Sequence, residues 1–381
     1  MKIAKKQYMI ISGAMSGTSM DGIDWVTIKI QMDYPPFQMD VLHSSSSPFP
    51  VTLKQSLLDL TNGKAIPVAG YFDIEELITD FYRESYKEHQ KGLMIKSEYL
   101  ACHGQTVFHA PEPISSKNPT RGSLQLLNGQ RLAAETGIPV IYQFRQADLA
   151  VGGQGAPLVP KSDELLFAGV KPCAILNLGG IANVTLLADN HPTLGFDCGP
   201  GNIILDYVAN RFFSVPFDRD GILAENGIIQ ESMVEKALED KFFSKHPPKS
   251  TGRELFSEDW IENWLDSFPA EATKVDFLAT AAELTAKAAA ESVKKFSKGK
   301  LKKVYVSGGG TKNPYLMERL RQAFGPAISV SDTSEVGVSS TFKEAISFAV
   351  LGFLRALSLP GNIPSVTGAR KPVRLGVIAE P

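Results

Sequence analysis

The sequence predicts an α/β fold that consists of a duplicated domain, and two observations support this prediction. The chain has 381 residues, which exceeds what one hydrophobic core normally supports, so two domains are expected. Each half begins with an apolar strand, a turn rich in glycine and other small residues, and a second apolar strand. The two turns are SGTSMDG near residue 16 and NLGGIAN near residue 179, about 160 residues apart. This spacing predicts an internal repeat whose two turns face each other across a cleft.

The first half predicts strands and helices in a definite order. Three antiparallel strands are expected in YMIISGAM, DWVTIKIQM and FQMDVLHS, because apolar residues alternate there and turn residues separate the runs. Helical spacing follows in LKQSLLDL and YFDIEELITDFYRESYKEHQ. A buried strand is expected at 99–104 and a loop at 110–122, and SLQLLNGQRLAAETGIPVIYQFR then predicts strand, helix and strand. Gly137 and Pro139 mark the end of that helix.

The glycine-rich stretch DLAVGGQGAPLVP marks the predicted connection between the domains. After it we expect a glycine-tipped hairpin in CAILNLGGIANVTLLADN, an alanine-rich helix at 270–296, a strand at 302–310 and a helix at about 338–357. Asn313 and Pro314 suit a helix start after the turn VSGGGT. The first predicted domain therefore comprises residues 1–148 and about 360–381, where the tail returns as a final strand. The second predicted domain comprises residues 149–359.

Composition and charge exclude several classes of protein. Hydrophobic residues make up 43% and charged residues 21%, which excludes a disordered or fibrous chain. The net charge of -2 gives no broad basic surface, so we expect a small-molecule partner rather than nucleic acid or a membrane. No apolar run approaches the roughly 20 residues of a membrane span. Cys102, Cys173 and Cys198 fit neither a disulfide framework nor a CxxC metal site, which predicts a cytoplasmic protein.

The turn SGAMSGTSMDGID at 12–24 concentrates hydroxyls, carboxylates and glycines. Glycine lets the backbone approach a ligand, hydroxyls donate to phosphate oxygens and carboxylates hold a hydrated cation, which together predict a cradle for a nucleotide phosphate. An ordinary polar hairpin turn is the alternative. The turn lacks the lysine of a Walker loop, and no GxGxxG enters a helix, so amides and hydroxyls at the hairpin tip would bind the phosphate. The second glycine tip and VSGGGT favour this interpretation.

Asp197 lies in GFDCGPGN, at the end of a short strand and just before an apolar-periodic helix. A turn aspartate that helps to cap the helix is the plain alternative. Asn202 is already placed to cap, however, and the flanking glycines leave the carboxylate in an open backbone. We therefore predict that Asp197 acts as a general base towards a bound hydroxyl or water.

Polar residues in other motifs have less specific interpretations. In CHGQTVFH, His103, Gln105 and Thr106 offer partners to sugar hydroxyls or to an N-acetyl carbonyl, although a structural His103 is nearly as well supported. Arg145 and Asp148 either bind substrate beside the glycine-rich connection or form salt bridges. The spacing of these side chains matches no standard metal site.

Two further segments are candidates for contact with a ligand. Lys249 and Arg253 in PPKSTGREL predict either an anion clamp or a helix start, in which Thr251 caps and Glu254 completes a capping box. Glu344 lies in the apolar helix VSSTFKEAISFAVLGFL, where its carboxylate points either towards the cleft or into solvent.

Seven motifs follow one another along the chain: SGTSMDGID, ACHGQTVFH, RQADLAVGGQGAPLVP, LNLGGIANVT, FDCGPGN, STGRELF and VSGGGTKNPYL. In this set the sequence resembles the anhydro-N-acetylmuramic acid kinase family over essentially its full length. The resemblance implies the actin, hexokinase and Hsp70-type fold, with two RNase H-like α/β domains around a nucleotide cleft. It also implies an enzyme that uses ATP, Mg²⁺ and water to open the 1,6-anhydro ring of 1,6-anhydro-N-acetylmuramic acid and phosphorylate O6. The product would be N-acetylmuramic acid 6-phosphate, in peptidoglycan recycling, and the family suggests a homodimer.

The resemblance also implies residue roles. Asp197 would deprotonate the water that attacks the anomeric carbon, Glu344 would be a second carboxylate near the sugar, and Asp21 or Asp24 would approach a hydrated magnesium ion. The implied ATP-binding residues are Gly17, Thr18, Ser19, Met20, Asp21, Gly22, Ile23, Asp24, Gly179, Gly180, Asn183, Gly308, Gly309 and Gly310. The substrate-binding candidates are His103, Gln105, Thr106, Arg145, Asp148, Gly199 and Asn202, so the N-terminal domain would carry the sugar and phosphate side and the C-terminal domain the nucleotide side.

Two alternatives stay open at this point. The first is another sugar or carboxylate kinase of the same fold, in which Asp197 deprotonates the acceptor itself. The second is a non-enzymatic, ATP-switched protein of the actin type. It is less favoured, because such proteins usually carry a peptide-binding appendage or long interface insertions, and no large segment follows about residue 360.

Overall fold

The computed structural model describes residues 7–17, 20–33, 35, 37–111, 121–252, 255–297 and 301–381. They divide into two compact units: unit 1 takes residues up to Ala168 and from Phe342 onward, and unit 2 takes Gly169–Thr341. The strands are β1 (Tyr8–Ser16), β2 (Gly22–Gln31), β3 (Met39–Pro48), β4 (Tyr99–Ala110), β5 (Gly122–Leu126), β6 (Val140–Tyr142), β7 (Cys173–Leu178), β8 (Ile181–Leu187), β9 (Leu194–Pro200), β10 (Lys303–Ser307), β11 (Ser329–Asp332) and β12 (Val377–Ala379).

Helices connect and cover these strands. They are α1 (Val51–Thr61), α2 (Val68–Lys91), α3 (Gly129–Thr136), α4 (Gln146–Ala150), α5 (Val159–Leu166), α6 (Ile203–Phe213), α7 (Glu231–Leu238), α8 (Lys241–Ser244), α9 (Glu258–Leu265), α10 (Lys274–Phe296), α11 (Pro314–Phe324), α12 (Lys343–Ala356) and α13 (Pro364–Thr367). None of them has the length and apolar character that a membrane crossing requires.

The sheets of the two units repeat one topology. In unit 1 the order is β12-β6-β4-β1-β2-β3, with β5 added to β4. In unit 2 it is β11-β10-β7-β8-β9. Each sheet begins with three consecutive antiparallel strands, which are β1 to β3 in unit 1 and β7 to β9 in unit 2. Two later strands then extend the sheet in parallel from the first of these three. They are β4 and β6 beside β1 in unit 1, and β10 and β11 beside β7 in unit 2. The α/β fold class predicted from the sequence is therefore confirmed, and the repeated strand order matches the predicted duplication.

Local sequence signals account for several element boundaries. The Asn313 side chain accepts a hydrogen bond from the Leu316 amide and Pro314 begins α11, which confirms the predicted helix start. Gly137 ends α3 in the left-handed conformation, at a φ of 67°. The tail returns to unit 1 as predicted, because β12 pairs with β6. In contrast, the strand expected at 99–104 continues to Ala110, while residues 112–120 of the predicted loop lie outside the described part.

The unit boundaries differ from the predicted positions near 148 and 360. Both α5 and α12 belong to unit 1, where α12 packs on β1, β2, β4 and α5. The close approach depends on small residues: a side chain at Gly13 would collide with the Ala345 carbonyl, and one at Gly352 would lie 2.5 Å from the Ala101 methyl. Helix α12 thus lies over the first sheet, because glycine on each element leaves room for the other.

The core of unit 2 forms around the alanine-rich helix α10. Small buried side chains let this helix pack against β8, β9, α6, α7 and α11. A capping box fixes its start, in which Thr273 and Asp276 exchange side-chain and backbone hydrogen bonds. Asp276 also accepts from the Ile228 amide at 2.6 Å, which ties the preceding loop to the helix.

Candidate active site

The first glycine-rich turn links β1 to β2 in unit 1, and Gln105 of β4 holds its start. The Gln105 side chain accepts a hydrogen bond from the Ser16 hydroxyl and donates to the Gly17 carbonyl at 3.2 Å. Met20 has a φ of 54° and is buried, as is Ile23. Predicted ATP contacts of these two residues would therefore use the backbone. Gln105 is also a predicted substrate-binding residue, and its side chain forms these hydrogen bonds to the turn. Thr18 and Ser19 lie outside the described residues.

The two aspartates of this turn have different surroundings. Asp21 is mostly exposed, with 73% of its side chain accessible, and pairs with Lys54 at 2.7 Å. Asp24 lies on β2 and accepts a hydrogen bond from Ser46 of β3 at 2.5 Å. Gly22 lies between them, and a side chain there would collide with the Ser47 carbonyl. Both carboxylates remain candidates to hold a hydrated cation, Asp21 with the greater freedom to move.

Arg145, His103 and Glu344 come together in unit 1. Arg145 donates to His103 Nε2 at 2.8 Å and to the Gly155 carbonyl at 2.8 Å. Burial lowers the pKa of Arg145 to about 10, while Glu344 and Asp148 act in the opposite direction. Burial, followed by the Arg145 charge, holds the pKa of His103 well below its usual range, so this ring is neutral. The arrangement offers hydrogen-bonding groups and a half-buried cation beside the Glu344 carboxylate.

Asp148, which the sequence predicts to contact substrate, is held by hydrogen bonds within the protein. Its Oδ2 accepts from the Gly155 amide at 2.9 Å, and its Oδ1 accepts from Asn362 at 2.6 Å and from Thr367 at 2.7 Å. The residue is fully buried, and a side chain at Gly153 would collide with its carboxylate. Because both oxygens are used internally, Asp148 joins the glycine-rich connection to the C-terminal segment.

A buried ion pair beside Glu344 was not predicted from the sequence. Lys343 at the start of α12 lies 2.8 Å from Asp163 of α5, and both side chains are at most 2% exposed. A pair of this kind needs its partner, because either charge alone would be buried without compensation. The sequence signal for this ion pair is a lysine next to Glu344, at the start of a strongly apolar helix. The pair fixes the helix turn that carries Glu344.

In unit 2 the segment that follows β9 forms hydrogen bonds to the turn that follows β7. The Asn202 amide donates to the Gly179 carbonyl at 2.8 Å, and the Gly201 amide donates to the Gly180 carbonyl at 2.9 Å. The Asn202 side chain donates to the Leu178 carbonyl at 3.1 Å and makes no capping bond to α6. The predicted capping role of Asn202 is therefore wrong, since the side chain fixes the glycine turn instead.

The turn after β10 also packs against Leu178, at the end of β7. Gly308 has a φ of 89°, and a side chain there would lie 2.7 Å from the Leu178 carbonyl. A side chain at Gly310 would lie 2.6 Å from the Leu178 side chain. By contrast, Gly180 and Gly309 are exposed and a side chain at either would meet nothing closer than 3.8 Å. The glycines thus bring two turns together and leave exposed backbone, a surface suited to a nucleotide that must approach main-chain amides.

Asp197 lies on β9 opposite Asn183 of β8, and the segment after α8 holds it. The Asp197 amide donates to the Lys249 carbonyl at 3.1 Å, and its Oδ2 accepts from the Thr251 amide at 2.8 Å. The side chain is half-buried, in contrast to Asp148. A carboxylate that is fixed in place and only half-buried is accessible to a ligand, so Asp197 stays a candidate general base.

Several neighbours of Asp197 differ from their predicted roles. Lys249 is 5% exposed and does not form an anion clamp at the surface. Within the part of the chain that the structure describes, the next helix after Thr251 is α9, which begins at Glu258 with Ser257 as its cap, so Thr251 caps none of the described helices. Gly199, a predicted substrate-binding residue, is buried, and a side chain there would lie 2.9 Å from Phe243. Arg253 and Glu254 lie outside the described residues.

The remaining candidate, Thr106, lies on β4 and its hydroxyl accepts a hydrogen bond from Gln125 at 3.2 Å. Across the described ranges, no cluster of three or more His, Cys, Asp and Glu side chains is arranged to hold a metal ion.

The two units are thus α/β units of one strand order, each with a glycine-rich turn after the first strand of its antiparallel run. A family model described as anhydro-N-acetylmuramic acid kinase matches residues 8–381. The chain belongs to this family.

Two relatives that carry the family name agree with the family match. The chain is 38% identical to the anhydro-N-acetylmuramic acid kinase of Rippkaea orientalis, with 98% of this chain and 100% of that protein covered. It is 37% identical to the protein of the same name from Vibrio cholerae, with 97% and 98% covered. Among solved structures, the (R)-2-hydroxyglutaryl-CoA dehydratase component A of Acidaminococcus fermentans has a TM-score of 0.46 at 11% identity, with 90% of this chain and 96% of that chain covered.

Proposed function

We propose that the protein is an ATP-dependent kinase that opens the 1,6-anhydro ring of 1,6-anhydro-N-acetylmuramic acid and phosphorylates O6. The product is N-acetylmuramic acid 6-phosphate, an intermediate of peptidoglycan recycling. The placement of Asp197 carries the proposal, because its carboxylate is fixed by the Thr251 amide and is half-buried. Membership of the kinase family supports the substrate assignment.

The reaction balances with Asp197 as the base. Asp197 takes a proton from water, the water oxygen forms a bond to C1, and the bond between C1 and O6 breaks. O6 then forms a bond to the γ-phosphorus of ATP, and the bond to the bridging oxygen breaks to release ADP. The protein contributes alignment of water and sugar and stabilisation of the negative charge that moves onto O6.

The two glycine-rich turns are the proposed ATP contacts. In unit 2, the exposed backbone of Gly180 and Gly309 offers amides to the nucleotide. In unit 1, the turn that begins at Gly17 is held by Gln105, and its amides and hydroxyls would bind phosphate oxygens. Asp21 or Asp24 would hold Mg²⁺ through water, and the ion would neutralise phosphate charge when bound.

Sugar binding is assigned to the polar group of unit 1. His103 is neutral and Arg145 is a half-buried cation, which together suit hydroxyl, carbonyl and carboxylate groups of an N-acetylmuramic acid. Glu344 would accept from a sugar hydroxyl near the reacting carbon. The Lys343 ion pair with Asp163 keeps the helix turn of Glu344 in place. A cytoplasmic location is proposed with this substrate, because Cys102, Cys173 and Cys198 are all buried free thiols.

Mass spectrometry of the product tests the proposed activity. The protein is incubated with ATP, Mg²⁺ and 1,6-anhydro-N-acetylmuramic acid, and N-acetylmuramic acid serves as the open-ring control. We expect a product heavier than the anhydro sugar by one phosphoryl group and one water, and little turnover of the control. Gain of a phosphoryl group without water, or faster turnover of the open sugar, would indicate an ordinary sugar kinase of the same fold.

A further inference from the structure

Lys249 is a buried cation enclosed by aromatic rings. Its Nζ lies 4.6 Å from the ring centre of Phe242, 5.8 Å from that of Phe196 and 5.7 Å from that of Phe296. It also donates to the Phe242 carbonyl at 3.4 Å. Ring faces attract a cation electrostatically, and the attraction grows when water is excluded. The lysine side chain is therefore anchored within unit 2, away from the surface role that its sequence position indicates.

The backbone that this side chain anchors holds Asp197. The Lys249 carbonyl accepts from the Asp197 amide at 3.1 Å. Two residues later, the Thr251 amide donates to Asp197 Oδ2 at 2.8 Å. One short segment thus fixes both the main chain and the carboxylate of Asp197, and the buried Lys249 side chain anchors this segment among the rings.

The charges around Lys249 connect it to the same carboxylate. Burial lowers the pKa of Lys249, Cys198 and Asp197 raise it, and the lysines at 295 and 245 lower it. The positive charge of Lys249 also acts on Cys198, the residue after Asp197. A buried positive charge that is screened little by solvent favours the ionised form of a nearby carboxylate.

We propose that Lys249 is a positioning residue for Asp197, which holds the segment 249–251 against β9 and keeps the Asp197 carboxylate charged. The proposal rests on the base role of Asp197. In this proposal Lys249 supports the base through position and charge, and does not itself contact the sugar or ATP. A merely structural lysine would affect the rate alike at every pH, whereas a residue that keeps the base ionised would act mainly at low pH.

The test compares pH profiles of kcat/KM for variants at this position. Lys249→Met removes the charge and keeps an apolar, polarisable chain among the rings, and Lys249→Gln removes the charge but keeps a hydrogen-bond donor. Lys249→Arg keeps the charge. Lys245→Met is the matched control, because it removes an exposed positive charge four positions away. Thermal melting checks that each variant is folded.

Asp197 must lose its proton to act, so its pKa sets the acidic limb of the profile. In the Met and Gln variants we expect this limb to move up by about one pH unit, which lowers kcat/KM about 10-fold below the limb and much less above it. Lys249→Arg and Lys245→Met should keep the limb of the parent. An unmoved limb in the folded Met and Gln variants, with a rate loss equal at every pH, would overturn the proposal. Undiminished activity of Asp197→Asn would instead remove the base role itself.

Discussion

Asp148 in unit 1 and Asp197 in unit 2 look alike in the sequence, because both lie beside glycine-rich segments, yet the structure uses them differently. Asp148 is fully buried and accepts three hydrogen bonds, from Gly155, Asn362 and Thr367. Asp197 is half-buried and is fixed by the amide of Thr251. A fully buried carboxylate that accepts bonds from three donors stabilises the fold, whereas a half-buried carboxylate is accessible to a ligand and can accept a proton from it.

The largest expected effect comes from Asp197→Asn. An amide has the same shape but cannot take a proton from water, so we expect kcat to fall by about 1000-fold, within the range of general base catalysis. ATP affinity and melting temperature should stay near those of the parent. Steady-state kinetics and calorimetric titration with ATP measure the two effects, with Asp189→Asn in an exposed turn of the same unit as the control. A normal rate would place the base elsewhere.

Asp148→Asn should lower stability more than activity, in contrast to Asp197→Asn. The amide would present N–H groups to donors that now face a carboxylate, so we expect the free energy of unfolding to drop by about 3 kcal/mol. Urea denaturation measures this loss, and the activity per folded molecule should fall far less than in Asp197→Asn. If the variant unfolds normally but loses turnover, Asp148 belongs to the substrate site after all.

A smaller effect concerns His89 of unit 1, another buried and satisfied polar group. Its ring nitrogens lie 2.9 Å from Thr27 Oγ1 and 2.7 Å from Ser45 Oγ. Burial, followed by the neighbouring His43, lowers the pKa of His89 to about 4. The unfolded chain therefore binds this proton more readily, and the stability contributed by a neutral His89 is present above pH of about 6.5 and declines as pH falls.

We expect His89 to remove up to about 1.4 kcal/mol of unfolding free energy per pH unit as pH falls from about 6.5 towards 4. Urea denaturation at several pH values gives this slope, which should be shallower in His89→Gln than in the parent. His191→Gln, at an exposed position, is the control and should leave the slope unchanged. An equal slope in the parent and in His89→Gln would contradict the assignment.

The sequence predicted those features that local pattern determines. Alternation of apolar residues located the strands on either side of both turns, and Asn313 with Pro314 located the start of α11. Glycine position predicted both turns, because exposed backbone and close packing require it. The same reasoning predicts Asp197 as the base, since its flanking glycines are visible without the fold.

Features that depend on contacts between residues far apart in the sequence could not be predicted. Asp148 meets Asn362 and Thr367, which are 214 and 219 residues away, so its use within the fold is invisible locally. Helix α12 belongs to unit 1 because Gly13 admits it, not because of any signal in its own sequence. The ring enclosure of Lys249 likewise joins residues from β9, α8 and α10. Pairing of this kind is set by tertiary packing, which residue spacing does not reveal.

The reaction in oxygen-18 water tests the central claim, that water attacks the anomeric carbon while O6 takes the phosphoryl group. The protein is incubated with ATP, Mg²⁺ and 1,6-anhydro-N-acetylmuramic acid, and the product is examined by mass spectrometry and carbon-13 NMR soon after mixing, before exchange at C1. We predict one labelled oxygen at C1 and unlabelled oxygen at C6. Absence of label at C1, or label in the phosphate instead, would contradict ring opening by water activated at Asp197.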